Sequence, residues 1–219
     1  AVLAALARRP GCEVVITSGR DRGSLERWLG ELPLTLVAEH GAWVRQGGGV
    51  EWERLVRADT AWKLAVHEVL RLFVERIPGS FVEEKDLSLV WHWRGADRHV
   101  GTEASRELVE ALTALTANTE VVVLTGQRNV EAKCAAAGKG PFFDNRIAPT
   151  RYDFIFAAGD DSTDETLFRV LPPTAYSVRV GFVVSAARFN VDGVEDVRKL
   201  LDDLAATPHS RVPNRVQPA

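Results

Sequence analysis

The sequence predicts an α/β protein, a parallel-sheet core covered by helices and interrupted by an inserted α+β module. Three observations predict it. Residues 13–17 (EVVIT), 24–29 and 34–38 (LTLVA) read strand, helix, strand, and two short apolar strands so joined suit a parallel sheet buried on both faces. The same alternation returns at 153–158 (DFIFAA), 165–170, 175–180 and 194–206. Between these stretches the pattern changes to long amphipathic helices and alternating strands, as expected of antiparallel hairpins with one covered face. The expected division is a core in two pieces, residues 1–47 and 138–206, with the inserted module at 48–137 and a tail at 207–219.

Taken in order, residues 1–9 (AVLAALARR) are Ala- and Leu-rich and helical, and stop at Pro10-Gly11. The first strand runs into Ser18-Gly19-Arg20, a tight turn. The helix at 24–29 carries Leu25, Trp28 and Leu29 on one face. After three consecutive glycines at 47–49, residues 60–77 form a long amphipathic helix ended by Pro78-Gly79. Strands follow at 80–84 and 87–94 (LSLVWHWR), then a helix at 102–116 and a strand pair at 120–125 and 129–133 turning near Gly126. Gly138-Lys139-Gly140 reads as a flexible loop before a short, Pro-bounded stretch at 141–150. Residues 207–219 hold three prolines and no periodicity, so a disordered tail or linker is expected there.

At 219 residues and 46% hydrophobic content the chain can bury a proper core. Its 27 basic and 30 acidic residues leave a formal net charge of −3. That balance offers no basic excess for nucleic acid or an anionic membrane, and a small-molecule substrate fits it better. Cys12 and Cys134 lie far apart without a CxxC partner, so no disulfide framework is expected and a reducing cytoplasm is the expected compartment. No apolar run reaches the roughly 18 residues of a membrane span.

The strongest chemical signal is Gly159-Asp160-Asp161-Ser162-Thr163-Asp164-Glu165, which follows an apolar strand. Open α/β sheets bind ligands beyond the carboxyl ends of their strands. Four acidic residues within six positions repel one another unless a cation or protons compensate. Hard oxygens in a short loop suit Mg²⁺, which keeps several waters and takes one or two carboxylates plus substrate phosphate. A plain helix start would account for one such Asp through capping and the helix dipole, but not for the whole set. The Ser18 hydroxyl and the backbone N–H groups beside Gly19 can hold a phosphate, and Lys139 can neutralise phosphate and carboxylate together. Taken singly, the Ser-Gly-Arg and Gly-Lys-Gly stretches are weak signals. Their order ahead of the acidic loop is what gives them weight.

That order resembles motifs two, three and four of the haloacid dehalogenase-like phosphatases, with the inserted module resembling their cap domain. More narrowly, the chain is similar to the trehalose-6-phosphate phosphatase family. The likeness rests on VITSGR at 15–20, VAEHG at 37–41, GSFVEEKDLSLVWHW at 79–93, VEAKCAAAGKG at 130–140, AGDDSTDETLF at 158–168 and SAARF at 185–189. The resemblance implies a catalytic set of Ser18, Lys139 and Asp160, in which Ser18 hydrogen-bonds the transferring phosphoryl group and Lys139 positions it. It implies that Asp160, Asp161 and Asp164 hold or orient Mg²⁺. Glu83, Lys85 and Glu131 match residues that grip sugar hydroxyls, and Arg20 is placed with them among the substrate-binding residues. Carboxylates and an ammonium suit polyol recognition by hydrogen bonding. A solvated charge run is the commoner fate of a stretch such as Glu83-Glu84-Lys85-Asp86. Trp91 and Trp93 are expected to pack on a sheet face rather than stack on sugar. His40 is divided between a place near the site and a turn-forming role, and stays outside the catalytic set.

The implied activity is Mg²⁺-dependent hydrolysis of trehalose 6-phosphate through an aspartyl-phosphate intermediate. The alternatives are a phosphatase of another sugar phosphate and a non-catalytic sugar-phosphate-binding domain fused to a synthase. The family's first motif, Asp-x-Asp-Gly-Thr/Ser, supplies the attacking Asp, and no such stretch occurs in the 219 residues. Residue 1 is not Met and the chain contains no Met, so the expectation is an N-terminally incomplete core with that motif upstream. Fusion to, or association with, a trehalose-6-phosphate synthase domain is expected on the same resemblance.

Overall fold

In a computed structural model describing residues 1–147 and 152–208, β1 (Val15–Thr17) pairs in parallel with β2 (Thr35–Ala38), Val15 opposite Thr35. Helix α1 (Val2–Ala7) precedes β1, and α2 (Arg22–Leu29) makes the crossover between the two strands. The crossover helix begins two residues before the apolar periodicity starts. Asp21 caps it, its Oδ1 accepting from the Ser24 amide (2.9 Å) and its Oδ2 from the Ser24 hydroxyl (2.6 Å). Leu25 is buried on the sheet, but Trp28 is exposed, so the apolar face of α2 is narrower than its sequence suggests. All four residues of β2 are buried.

The chain leaves β2 through a 3₁₀ turn, Glu39–Gly41, and reverses into β3 (Trp43–Arg45), which pairs antiparallel with β2. β4 (Glu53–Arg54) then pairs with β3, completing a four-stranded sheet in the order β1-β2-β3-β4. These short strands follow no apolar run, which is why periodicity misses them. The pairing carries the sheet past residue 47, through β4.

A second, antiparallel sheet has the order β5-β6-β8-β7, formed by β5 (Phe81–Glu84), β6 (Ser88–His92), β7 (Val121–Gly126) and β8 (Asn129–Cys134). Two helices cover one face, α3 (Trp62–Arg76) and α4 (Arg98–Thr116). Alternation along the strands decides which side chains meet those helices. Val66, Leu70, Phe73, Leu108 and Leu112 from the helices pack on Leu89, Trp91, Trp93, Val130 and Ala132 from the sheet. Trp91 is fully buried with its ring edge-on to Phe73, at 5.9 Å between centroids, and Trp93 is buried with it. Packing, not sugar stacking, is therefore their role.

The chain returns through α5 (Lys139–Ile147) to a three-stranded parallel sheet in the order β11-β10-β9. Its strands are β9 (Phe156–Gly159), β10 (Tyr176–Val180) and β11 (Phe189–Val191), with α6 (Asp164–Val170) and α7 (Val194–Ala206) beside them. The stretch read as a flexible Gly-Lys-Gly loop is instead the opening of α5. Pro141 is tolerated there because first-turn amides have no intrahelical partner to lose. α1 packs on α7, and the Arg9 guanidinium donates to the Leu204 carbonyl, so the first and last described helices meet. Residues 209–219, most of the expected tail, lie outside the described residues.

Candidate functional site

Ser18 sits half-buried at the carboxyl end of β1, where strands of a parallel sheet deliver ligand-binding side chains. Its amide donates to the Val37 carbonyl (3.0 Å) and its carbonyl accepts from the His40 amide (3.0 Å), so the loops after β1 and β2 are stitched together. The Arg20 amide donates to Ser18 Oγ at 3.2 Å, turning the chain tightly. The guanidinium of Arg20 is exposed and lies over the Trp28 ring at 5.7 Å. That places it apart from the other substrate-binding candidates.

At the carboxyl end of β9 the acidic loop is organised around Lys139. The buried ammonium of Lys139 donates to Asp164 Oδ1 at 2.7 Å and lies 3.6 Å from Asp161 Oδ2. Asp164, equally buried, accepts from the Asp161 amide through Oδ2 (3.0 Å). Asp161 Oδ1 accepts from the Thr163 amide (2.7 Å), the Thr163 hydroxyl (2.5 Å) and the Asp164 amide (3.1 Å). Burial opposes ionisation of Asp161, but the Lys139 charge and these donors outweigh it and hold its carboxyl below the usual range. Asp160 is exposed and has neither a hydrogen bond nor an ion pair among the described residues. Among those residues no three His, Cys, Asp or Glu side chains converge into a closed metal cage. Asp160 and the outer oxygen of Asp161 are hard donors still open to a cation, which fits an ion that brings its own waters. Asp164 is committed to Lys139.

The sugar-grip candidates lie on the antiparallel sheet. Its alternation sends Leu89 and Trp91 toward the helices, and Glu83 and Glu131 to the other face, both in register with Val90. Lys85 Nζ lies 3.9 Å from a carboxylate oxygen of Glu83 and 3.9 Å from Glu131 Oε1. The same ammonium donates to the Gly19 carbonyl at 3.0 Å, the residue after Ser18. Glu83, Lys85 and Glu131 are thus brought together and seated on the Ser18 turn. Glu84, between them, points outward to Lys63 (3.1 Å). The charge run is therefore divided, the Lys85 side chain being buried at the junction and Glu84 lying on the solvated surface.

Further polar side chains join this junction without having been singled out as site residues. His40 Nε2 lies 3.1 Å from Glu131 Oε2, with both groups buried. Burial alone would raise the Glu131 pKa, but the His40 hydrogen bond and charge, with Lys85 behind them, bring it down to about 2. His92 Nε2 lies 2.7 Å from Glu83 Oε2, its ring stacked on Phe81. Glu39 Oε2 accepts from the Asp86 amide at 2.9 Å, and Arg22 pairs with Asp86 at 3.3 Å. Their signal in the sequence is faint, since each pairing except the short-range His92–Glu83 joins loops tens of residues apart. A cavity lined by Glu13, Gly41, Phe142, Arg146 and Tyr152 contains none of the candidate residues.

A parallel α/β core that carries Ser at one strand end and a Lys-braced Asp loop at another, with an antiparallel insertion, is the fold of the haloacid dehalogenase-like phosphatases. Residues 1–209 match the family model described as Trehalose-phosphatase. The chain belongs to the trehalose-phosphatase family. It is 39% identical over 203 residues to a bifunctional trehalose-6-phosphate synthase/phosphatase of Thermoproteus tenax, covering 93% of this chain and 28% of that relative. It therefore spans little more than a quarter of that relative's length. Among solved structures, the C. albicans trehalose-6-phosphate phosphatase C-terminal domain superposes with a TM-score of 0.86 at 28% identity, over 93% of this chain and 82% of that one. The trehalose-6-phosphate phosphatase of Aspergillus fumigatus superposes with a TM-score of 0.61 at 35% identity, over 93% and 81%.

Proposed function

We propose that this domain hydrolyses trehalose 6-phosphate to trehalose and phosphate. The observation that carries the reading is the position of Lys85. Its ammonium lies within 3.9 Å of Glu83 and Glu131 and donates to the carbonyl of Gly19, so a polyol-binding cluster touches the turn that carries Ser18. A substrate with a sugar at one end and a phosphate at the other matches that spacing of functions. The antiparallel module within residues 48–137 acts as the cap, and its charged face sets specificity while excluding bulk water.

In this reading Ser18 donates its hydroxyl to a phosphoryl oxygen, and backbone N–H groups of its turn orient the group. Lys139 balances charge in the acidic loop while anchored by Asp164. Asp160 and Asp161 would hold Mg²⁺, which supplies positive charge to the phosphoryl oxygens when bound. The P–O bond to the sugar oxygen breaks as a carboxylate takes the phosphoryl group, and water then releases phosphate and restores the carboxylate. In the family that carboxylate belongs to an Asp-x-Asp-Gly motif, which these 219 residues do not contain.

Fusion to, or action beside, a synthase domain is part of this reading and is supported by the bifunctional relative, and a cytoplasmic setting fits the two free cysteines. No helix among the described residues is long and apolar enough to cross a membrane. Phosphate release from trehalose 6-phosphate by the full-length protein, with Mg²⁺ and then with excess chelator, tests the reading. Release that requires the metal is expected, and a folded protein that releases no phosphate with Mg²⁺ present would refute it.

A further inference from the structure

His40 occupies a costly position. Three consecutive residues have positive φ, Glu39 at 49°, His40 at 58° and Gly41 at 105°, and only the last is a glycine. A left-handed backbone at a buried, non-glycine residue is uncommon and persists where the surroundings enforce it. His40 Nδ1 is also buried without a partner among the described residues. A residue that merely turned the chain would incur neither cost, since glycine or asparagine adopts this backbone more readily.

The ring has two neighbours. One is Gly19, where an added Cβ would stand 2.5 Å from Nε2, so the imidazole rests directly on the turn that carries Ser18. The other is Glu131, 3.1 Å away. Glu131 is ionised, so it can only accept, and Nε2 must carry the proton. Its second oxygen, Oε1, is buried without a hydrogen-bond partner among the described residues; the Ser88 hydroxyl also bears on this carboxyl, and the nearest ammonium is Lys85 at 3.9 Å. A buried carboxylate oxygen left in this way is costly unless something donates to it in another state.

We propose that His40 is a positioning residue for sugar recognition: it pins Glu131 Oε2, reserves Oε1 for a sugar hydroxyl, and fixes both against the Ser18 turn. The proposal rests on the trehalose 6-phosphate reading above and deepens it. Because Oε1 is closed from solvent, a sugar hydroxyl can reach it only once the Lys85 contact with Gly19 loosens. Without His40, Glu131 loses its partner and its orientation, and the sugar end of the substrate loses an acceptor. The phosphoryl end keeps Ser18 and Lys139.

The test compares trehalose 6-phosphate with p-nitrophenyl phosphate, which has no sugar, using the full-length protein. The variants are His40→Ala, His40→Gln, Glu131→Gln and the double variant His40→Ala/Glu131→Gln. His40→Ala is expected to lower kcat/KM for trehalose 6-phosphate at least tenfold more than for p-nitrophenyl phosphate, mainly through KM. His40→Gln, whose amide can still donate to Glu131, should recover part of that loss. The double variant should be within about twofold of Glu131→Gln alone, because both changes remove one unit. Equal losses on the two substrates, or losses that multiply in the double variant, would overturn the proposal. If His40→Ala does not fold, the same cycle run with His40→Asn, whose shorter side chain tolerates the left-handed backbone, decides it. Wild-type protein that cleaves p-nitrophenyl phosphate but not trehalose 6-phosphate contradicts the substrate reading itself, a failure visible before any substitution.

Discussion

At Glu131, burial and charge pull in opposite directions, and charge wins. Burial alone would raise its pKa, whereas His40 and Lys85 hold it at about 2, below the ordinary carboxylate value of 4.5. A depressed folded-state pKa stabilises the protein above the unfolded value, and the contribution fades as pH falls through the folded one. About 2.5 units correspond to roughly 3 kcal/mol. Wild-type protein should therefore lose stability more steeply than Glu131→Gln between pH 4.5 and 2, as followed by urea unfolding at each pH. The acidic loop divides in a similar way. Lys139→Ala leaves the buried Asp164 carboxylate without its cation, at a cost of about 3 kcal/mol, a Tm drop of roughly 6–12 °C. Asp160→Asn touches an exposed, unpaired group, so its Tm should stay within about 2 °C while metal-dependent phosphate release is lost. Calorimetry beside a phosphate assay separates the two. At this scale the sequence was readable where partners share one motif, as in the acidic loop whose Asp161 caps Thr163 and Asp164. The pairing of His40 with Glu131 was not readable, because it spans 91 positions and depends on how two sheets meet.

The 3₁₀ turn between β2 and β3 is the element on which the site depends. It presents His40 to Glu131, lends Glu39 to the Asp86 amide, and accommodates α5 where Gly41 lies against the Gly138 carbonyl. Gly19 completes the contact by having no side chain. Gly19→Ala would set a methyl 2.5 Å from the His40 ring nitrogen, so the ring must move. Catalytic efficiency on trehalose 6-phosphate should fall at least tenfold, and the chemical shift of the His40 ring, read by NMR, should move with it. The antiparallel module is held by a separate core. Trp91→Ala should open a cavity there at a cost of about 3–5 kcal/mol, and hydrogen exchange should report loosening of β5–β8 before β1 and β2. Element type was legible wherever periodicity ran long, as in α3 and α4. It was not legible in α5, where Gly138 just before it, Gly140 and Pro141 look like a loop although the helix needs only its first turn to tolerate the last two. Nor was it legible in β3 and β4, whose pairing is set by their neighbours rather than by a run of their own.

Across the whole molecule, the parallel strands of a mixed sheet and of a parallel sheet carry the candidate loops at their carboxyl ends, and an antiparallel sheet presents a charged face to one of them. The α/β class and the inserted module were readable because strand–helix alternation is local and frequent. The meeting of Lys85 with the Ser18 turn was not, since it is a property of packing between modules. In the proposed reading this meeting joins sugar recognition to phosphate chemistry. Its most direct measurement is kcat/KM for trehalose 6-phosphate relative to glucose 6-phosphate in the full-length protein, before and after Lys85→Ala. A preference for the disaccharide phosphate that falls at least tenfold in Lys85→Ala is the expected result. Equal turnover of both substrates, or a preference untouched by the substitution, would contradict it.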